Sequence, residues 1–127
     1  KSTGAAKGIG RVIPELAGKL DGIALRVPIP TVSVLDLICQ VEKKISVEEV
    51  NSAFKKATEK KELKGILSIE AAPLVSSDYI GNSFSAVIDA PSTMVSENLV
   101  KILAWYDNEY AYACRLAEFA SFIGKKL

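Results

Sequence analysis

The sequence contains no histidine at all. The commonest general base near neutral pH and the commonest metal ligand are therefore missing together, and most catalytic schemes go with them. Cysteine is scarce as well. Cys39 and Cys114 stand far apart in a chain of 127 residues, whereas a secreted scaffold of this size usually carries more cysteines at closer spacing, so both are expected to be reduced. No run approaches the roughly 18 consecutive apolar residues of a membrane span, and the amino-terminal stretch lacks the charged-then-apolar layout of a signal peptide. A cytoplasmic location without a membrane partner is the expectation. Net charge is small too: sixteen Lys and Arg against fifteen Asp and Glu leave a formal +1. No general field draws in a nucleic-acid backbone, so no nucleic-acid partner is expected and any anion must be bound locally.

What is present describes an ordinary globular chain, 49% hydrophobic and 24% charged, with few Gly and Pro. Its length suits one domain, residues 1–127, able to bury about two-thirds of the surface its unfolded chain exposes. The opening Lys1-Ser2-Thr3-Gly4 reads as a turn, and Lys1 is not expected to be the natural amino terminus. A helix should follow, with Ile9, Val12, Ile13 and Leu16 at helical spacing and Gly18 as its stop. Pro14 falls inside that pattern and should end or kink it.

From Ile23 to Val41 the chain is rich in Ile, Val and Leu, and Pro28-Ile29-Pro30 divides it into two expected strands. Ser46 to about Glu59 is the clearest helix, because Ser46-Val47-Glu48-Glu49 forms a capping box. Val47, Val50, Ala53, Phe54 and Ala57 line one side of it, and Lys55, Lys56, Lys60 and Lys61 form a solvated face with no interleaved aromatic residues. Strands are expected over 65–70, 84–90 and 99–105, and a terminal helix over 108–126 with Tyr110, Ala113, Ala117, Ala120 and Ile123 on its buried side. Without strict alternation of strand and helix, the expected class is α+β, an antiparallel or mixed sheet with helices packed on one face.

Four motifs bear on chemistry. Gly8-Ile9-Gly10 begins like a dinucleotide fingerprint, but the third glycine and the preceding strand are missing. Ser2-Thr3-Gly4 can be a plain helix cap, or an anion site in which a hydroxyl joins the free amides of the first turn. Arg26, surrounded by apolar residues, is either an edge arginine paired with a carboxylate or a two-pronged phosphate donor. Trp105-Tyr106-Asp107-Asn108-Glu109-Tyr110-Ala111-Tyr112 joins a strand to a helix. It can be a core anchor with an N-cap from Asp107 or Asn108, or it can present a planar amide and a ring to a flat ligand carrying a carboxamide.

Ser2-Thr3-Gly4-Ala5-Ala6-Lys7, the run from Leu25 to Leu37, Leu63-Lys64-Gly65-Ile66-Leu67 and Trp105-Tyr106-Asp107-Asn108-Glu109, in that order, resemble the phosphorylating glyceraldehyde-3-phosphate dehydrogenases. Val75-Ser76-Ser77-Asp78-Tyr79 with Ile88-Asp89-Ala90 looks like the bacterial type. The resemblance implies the phosphate-binding, carboxy-terminal part of a glycolytic, homotetrameric enzyme, after its NAD-binding Rossmann domain and its nucleophilic cysteine and histidine. In that family a thiolate adds to the aldehyde, hydride passes to NAD and phosphate attacks the thioester. Thr3 and Gly4 match positions that bind inorganic phosphate, and Arg26 matches the arginine shared with the phosphate of glyceraldehyde 3-phosphate. Asn108 matches the residue holding the nicotinamide carboxamide, and Tyr112 the ring beside it.

Neither Cys39 nor Cys114 matches the nucleophile, so the chain supplies no catalytic residue and alone is expected to be inactive. Ala111, Ala113 and Cys114 depart from the family pattern around Tyr112. The alternatives are the corresponding part of an erythrose-4-phosphate dehydrogenase, and a non-catalytic phosphate-binding or interaction module.

Overall fold

The computed structural model describes residues 4–127. Helix α1 (Ala5–Val12) starts from Gly4 and stops ahead of Pro14. Ile13 takes an extended conformation (φ −125°, ψ 87°), as a residue before proline prefers, and a 3-10 turn follows over Pro14–Leu16. A close approach accounts for Gly10, one of the two glycines in this helix. A Cβ there would lie 2.9 Å from the Ala17 Cα, so the missing side chain lets the returning chain close onto α1.

The sheet has the order β1-β5-β3-β2, with β4 paired to β5 beside β3. Strand β1 (Ser33–Gln40) runs antiparallel to β5 (Leu99–Tyr106) along its whole length, from Ser33 opposite Tyr106 to Gln40 opposite Leu99. Strands β2 (Leu67–Glu70) and β3 (Ala86–Asp89) are parallel, and β3 is antiparallel to β5. The sheet is therefore mixed, and the class is α+β. Only one strand forms where two were expected over 23–41. Residues 24–32 stay irregular, and as far as Ile29 their large apolar side chains find no sheet to pack on: Leu25 is 78% exposed.

A strand unmarked in the sequence, β4 (Met94–Ser96), makes a hairpin with β5 through Glu97 and Asn98. Glu97 takes the positive φ (59°) that the tight turn demands, and the Asn98 side chain donates to the Val41 carbonyl.

Helix α2 (Val47–Thr58) carries both halves of its capping box: the Ser46 N–H donates to Glu49 at 2.8 Å and the Glu49 N–H to the Ser46 hydroxyl at 3.2 Å. It covers one face of the sheet, where Val50 and Phe54 meet Ile88, Val100, Ile102 and Ala104. On the opposite face a 3-10 turn over Ser76–Tyr79 brings Tyr79 against Val32 and Val87. Outside that cluster Val34, Ile38 and Leu99 remain exposed on the same face. Helix α3 (Tyr110–Gly124) leaves the end of β5, and its packing differs from expectation. Ala111 is its buried residue, while Tyr110, Ala113, Ala117, Ala120 and Ile123 are exposed. Past its first turn the helix has no sheet beneath that stripe. Arg115 holds it by donating to the Ser83 carbonyl (3.1 Å) and the Ser85 hydroxyl (3.0 Å). Among the described residues no helix is long and apolar enough to cross a membrane.

Candidate functional site at the end of β5

The junction between β5 and α3 divides its work among neighbouring residues. Trp105 is a core anchor. Its ring stacks on Tyr79 with centroids 5.6 Å apart and planes 11° from parallel, and its indole N–H donates to Asp89 at 3.0 Å. Asp107 is the cap. One carboxylate oxygen accepts from the backbone N–H groups of Glu109 and Tyr110, both at 3.0 Å, and the other from the Gly81 N–H at 2.9 Å. The Tyr110 amide, followed by the Gly81 amide, holds the Asp107 carboxyl below the ordinary aspartate range, while burial works in the opposite direction.

Because Asp107 satisfies the helix start, Asn108 is released from capping. Its side chain is exposed, and its one hydrogen bond among the described residues comes from the Ser33 hydroxyl to Oδ1 at 3.2 Å. Tyr112, four residues further on, is 64% exposed. The cluster divides by residue: Trp105 and Asp107 build the structure, and Asn108 and Tyr112 are left facing outward. A planar amide with free hydrogen-bonding capacity has the chemistry to receive a carboxamide-bearing flat group.

The other expected site residues lie elsewhere. Thr3 is outside the described residues. Gly4 is an exposed position at the start of α1, with open space around it. Arg26 lies in the irregular segment before β1, is exposed, and makes no ion pair among the described residues, so the carboxylate-paired edge arginine is not what forms. Cys39 is a half-buried thiol packed against the α2-side core, and Cys114 is half-buried on α3; both are free. A surface depression lined by residues 40–45 and Glu49 sits at the far end of β1 from Ser33 and belongs to no candidate site.

Sequence reasoning missed Ser33, Val32 and Gly81. Val32 is buried with φ at +72°, an outlying conformation for a β-branched residue, and it turns the chain from the Arg26 segment into β1. Gly81 also has positive φ (76°), which aims its N–H at Asp107. The available signal was slight: a single serine inside the apolar run Val32-Ser33-Val34-Leu35.

Residues 1–108 match the family described as glyceraldehyde 3-phosphate dehydrogenase, C-terminal domain. The chain is 53% identical over 126 residues to the glyceraldehyde-3-phosphate dehydrogenase of Geobacillus stearothermophilus, which covers 98% of this chain and 37% of that protein. It is 52% identical to glyceraldehyde-3-phosphate dehydrogenase 1 of Bacillus subtilis, with the same coverage, and 54% identical to the Mycolicibacterium smegmatis enzyme over 99% of this chain and 37% of that one. It thus spans little more than a third of the length of the curated relatives it matches. From its first residues to the Asn108 turn, the chain belongs to the C-terminal domain of the glyceraldehyde-3-phosphate dehydrogenase family.

Proposed function

We propose that this chain is the part of an NAD-dependent, phosphorylating glyceraldehyde-3-phosphate dehydrogenase that contacts phosphate and nicotinamide. The observation that carries the reading is the exposed Asn108 amide, released from capping by Asp107 and standing in a domain of this family. Asn108 holds the nicotinamide carboxamide and Tyr112 flanks the ring. NAD, when bound, supplies the hydride acceptor, and this chain's residues orient it. Thr3, the Gly4 amide and Arg26 bind inorganic phosphate and the phosphate of glyceraldehyde 3-phosphate. Exposure of Arg26 leaves its planar fork available for two oxygens.

No residue here forms or breaks bonds with substrate. The sequence contains no histidine, and its two thiols sit half-buried on β1 and α3. In this reading the chain acts in a larger, cytoplasmic, tetrameric enzyme. Exposed Val34, Ile38 and Leu99 on the uncovered sheet face suit contact between copies. The test is NADH formation from glyceraldehyde 3-phosphate and phosphate. A complete subunit containing this chain forms NADH, and the 127-residue chain alone forms none. NADH formation by the purified chain alone would refute the division of roles. Sedimentation at all workable concentrations as a monomer would refute the assembly.

A further inference from the structure

We infer that Ser33 is a positioning residue for nicotinamide binding, acting through Asn108; this rests on the reading of Asn108 given above. Asn108 is exposed, and an exposed asparagine amide rotates over a broad range about its last side-chain bond. Here the Ser33 hydroxyl donates to Oδ1 at 3.2 Å, across 75 residues of sequence. Register produces the meeting. Ser33 opens β1 opposite Tyr106, so the first hydroxyl of one strand lies beside the residue two past the end of its partner.

Both partners are themselves fixed. Ser33 follows Val32, whose positive φ is held by burial against Tyr79 and Val87. Asn108 follows Asp107, whose carboxylate binds three backbone N–H groups. The serine thus joins two rigid backbones and holds the plane of the amide between them. A hydroxyl both donates and accepts, so it holds that plane whichever end of the amide meets the ligand. A carboxamide then finds a partner already aligned, and less freedom is lost on binding.

The test uses the complete subunit containing this chain, with NAD affinity measured by calorimetry. Asn108→Ala examines the underlying reading. If it leaves NAD affinity unchanged, that reading and this inference both fall. With Asn108→Ala impaired, Ser33→Ala is expected to weaken NAD binding by about three- to tenfold, the loss of one hydrogen bond. It should raise the KM for NAD without raising that for phosphate, and Ser33→Thr should recover most of the loss. In the Asn108→Ala background, Ser33→Ala is expected to add less than about twofold, because its only route is gone.

Wild-type NAD affinity in Ser33→Ala overturns the inference while leaving the role of Asn108 intact. An undiminished Ser33→Ala effect in the Asn108→Ala background also overturns it. If Ser33→Ala does not fold, nuclear magnetic relaxation of the Asn108 side-chain NH2 group in the ligand-free wild type decides. An amide as rigid as the backbone supports the inference, and a freely rotating one refutes it.

Discussion

The segment before β1 and the sheet that follows are built on different terms. In the sheet, apolar residues meet one another: Val100 is 2% exposed and packs with Val50, Ile88 and Ile102. In the earlier segment they face outward, with Val12 82% exposed and Leu25 close behind. Gly4 and Arg26 lie on the exposed segment, whereas Asn108 and Tyr112 follow the last residue of a central strand. The contrast teaches that the nicotinamide side of the proposed site is preorganised by this chain's own core. The phosphate side is carried by a segment whose apolar residues need a surface the sheet does not offer.

The largest expected effect lies in the sheet. Ile102→Ala should destabilise the chain by about 2–5 kcal/mol, the cost of a buried aliphatic deletion. Leu25→Ala should change it by less than about 0.5 kcal/mol, as surface substitutions do. Urea unfolding of the 127-residue chain compares them, and equal losses would erase the distinction between the regions.

Asp107→Ala should come next, at about 1–3 kcal/mol, because it strips backbone N–H groups of their acceptor. The sign with pH follows from the depressed native pKa. The stability Asp107 contributes is present above its unfolded value near 3.9 and is lost as pH falls through the lower native value. Unfolding midpoints between pH 7 and pH 2 should therefore fall less steeply in Asp107→Ala than in the wild type.

Arg26→Ala sharpens the comparison from the other side. In the complete enzyme it should raise the KM for phosphate and for the sugar phosphate together, with stability nearly unchanged, and Arg26→Lys should restore charge without the two-pronged grip. A KM change for only one of the two anions would show that Arg26 is not shared. Arg115→Ala has a smaller and more local effect than the Ile102 and Asp107 variants. It removes the donations to Ser83 and Ser85 that hold α3, at about 1 kcal/mol, and should quicken amide exchange in α3 while leaving β5 unchanged.

The same contrast explains what the sequence disclosed. Helix α2 was legible because Ser46 and Glu49 cap it locally and Val50 and Phe54 mark its inner side. Asn108 was legible because the motif around it resembles a known family, although residue pattern alone left its role open. The first of the two strands expected over 23–41, ahead of Pro28-Ile29-Pro30, failed because apolar content marks a segment that seeks burial without saying where the covering surface comes from. The stripe on α3 misled for the same reason, since Tyr110 and Ile123 repeat at helical spacing yet remain exposed. Strand β4 was missed because its turn uses Glu97 at positive φ, where glycine or asparagine would have signalled a hairpin. Ser33 escaped notice because its significance lies in strand register, and pairing across 75 residues is not visible in local pattern.

Amide hydrogen exchange of the 127-residue chain, followed residue by residue, tests the central claim most directly. The account predicts slow exchange for the β5 amides and clear protection of the Glu109 and Tyr110 amides held by Asp107. It predicts near-unprotected exchange over 25–27, rising to protection only in the complete subunit. Protection over 25–27 in the chain alone that equals that of β5 would contradict it, because both halves of the site would then be built by the same core.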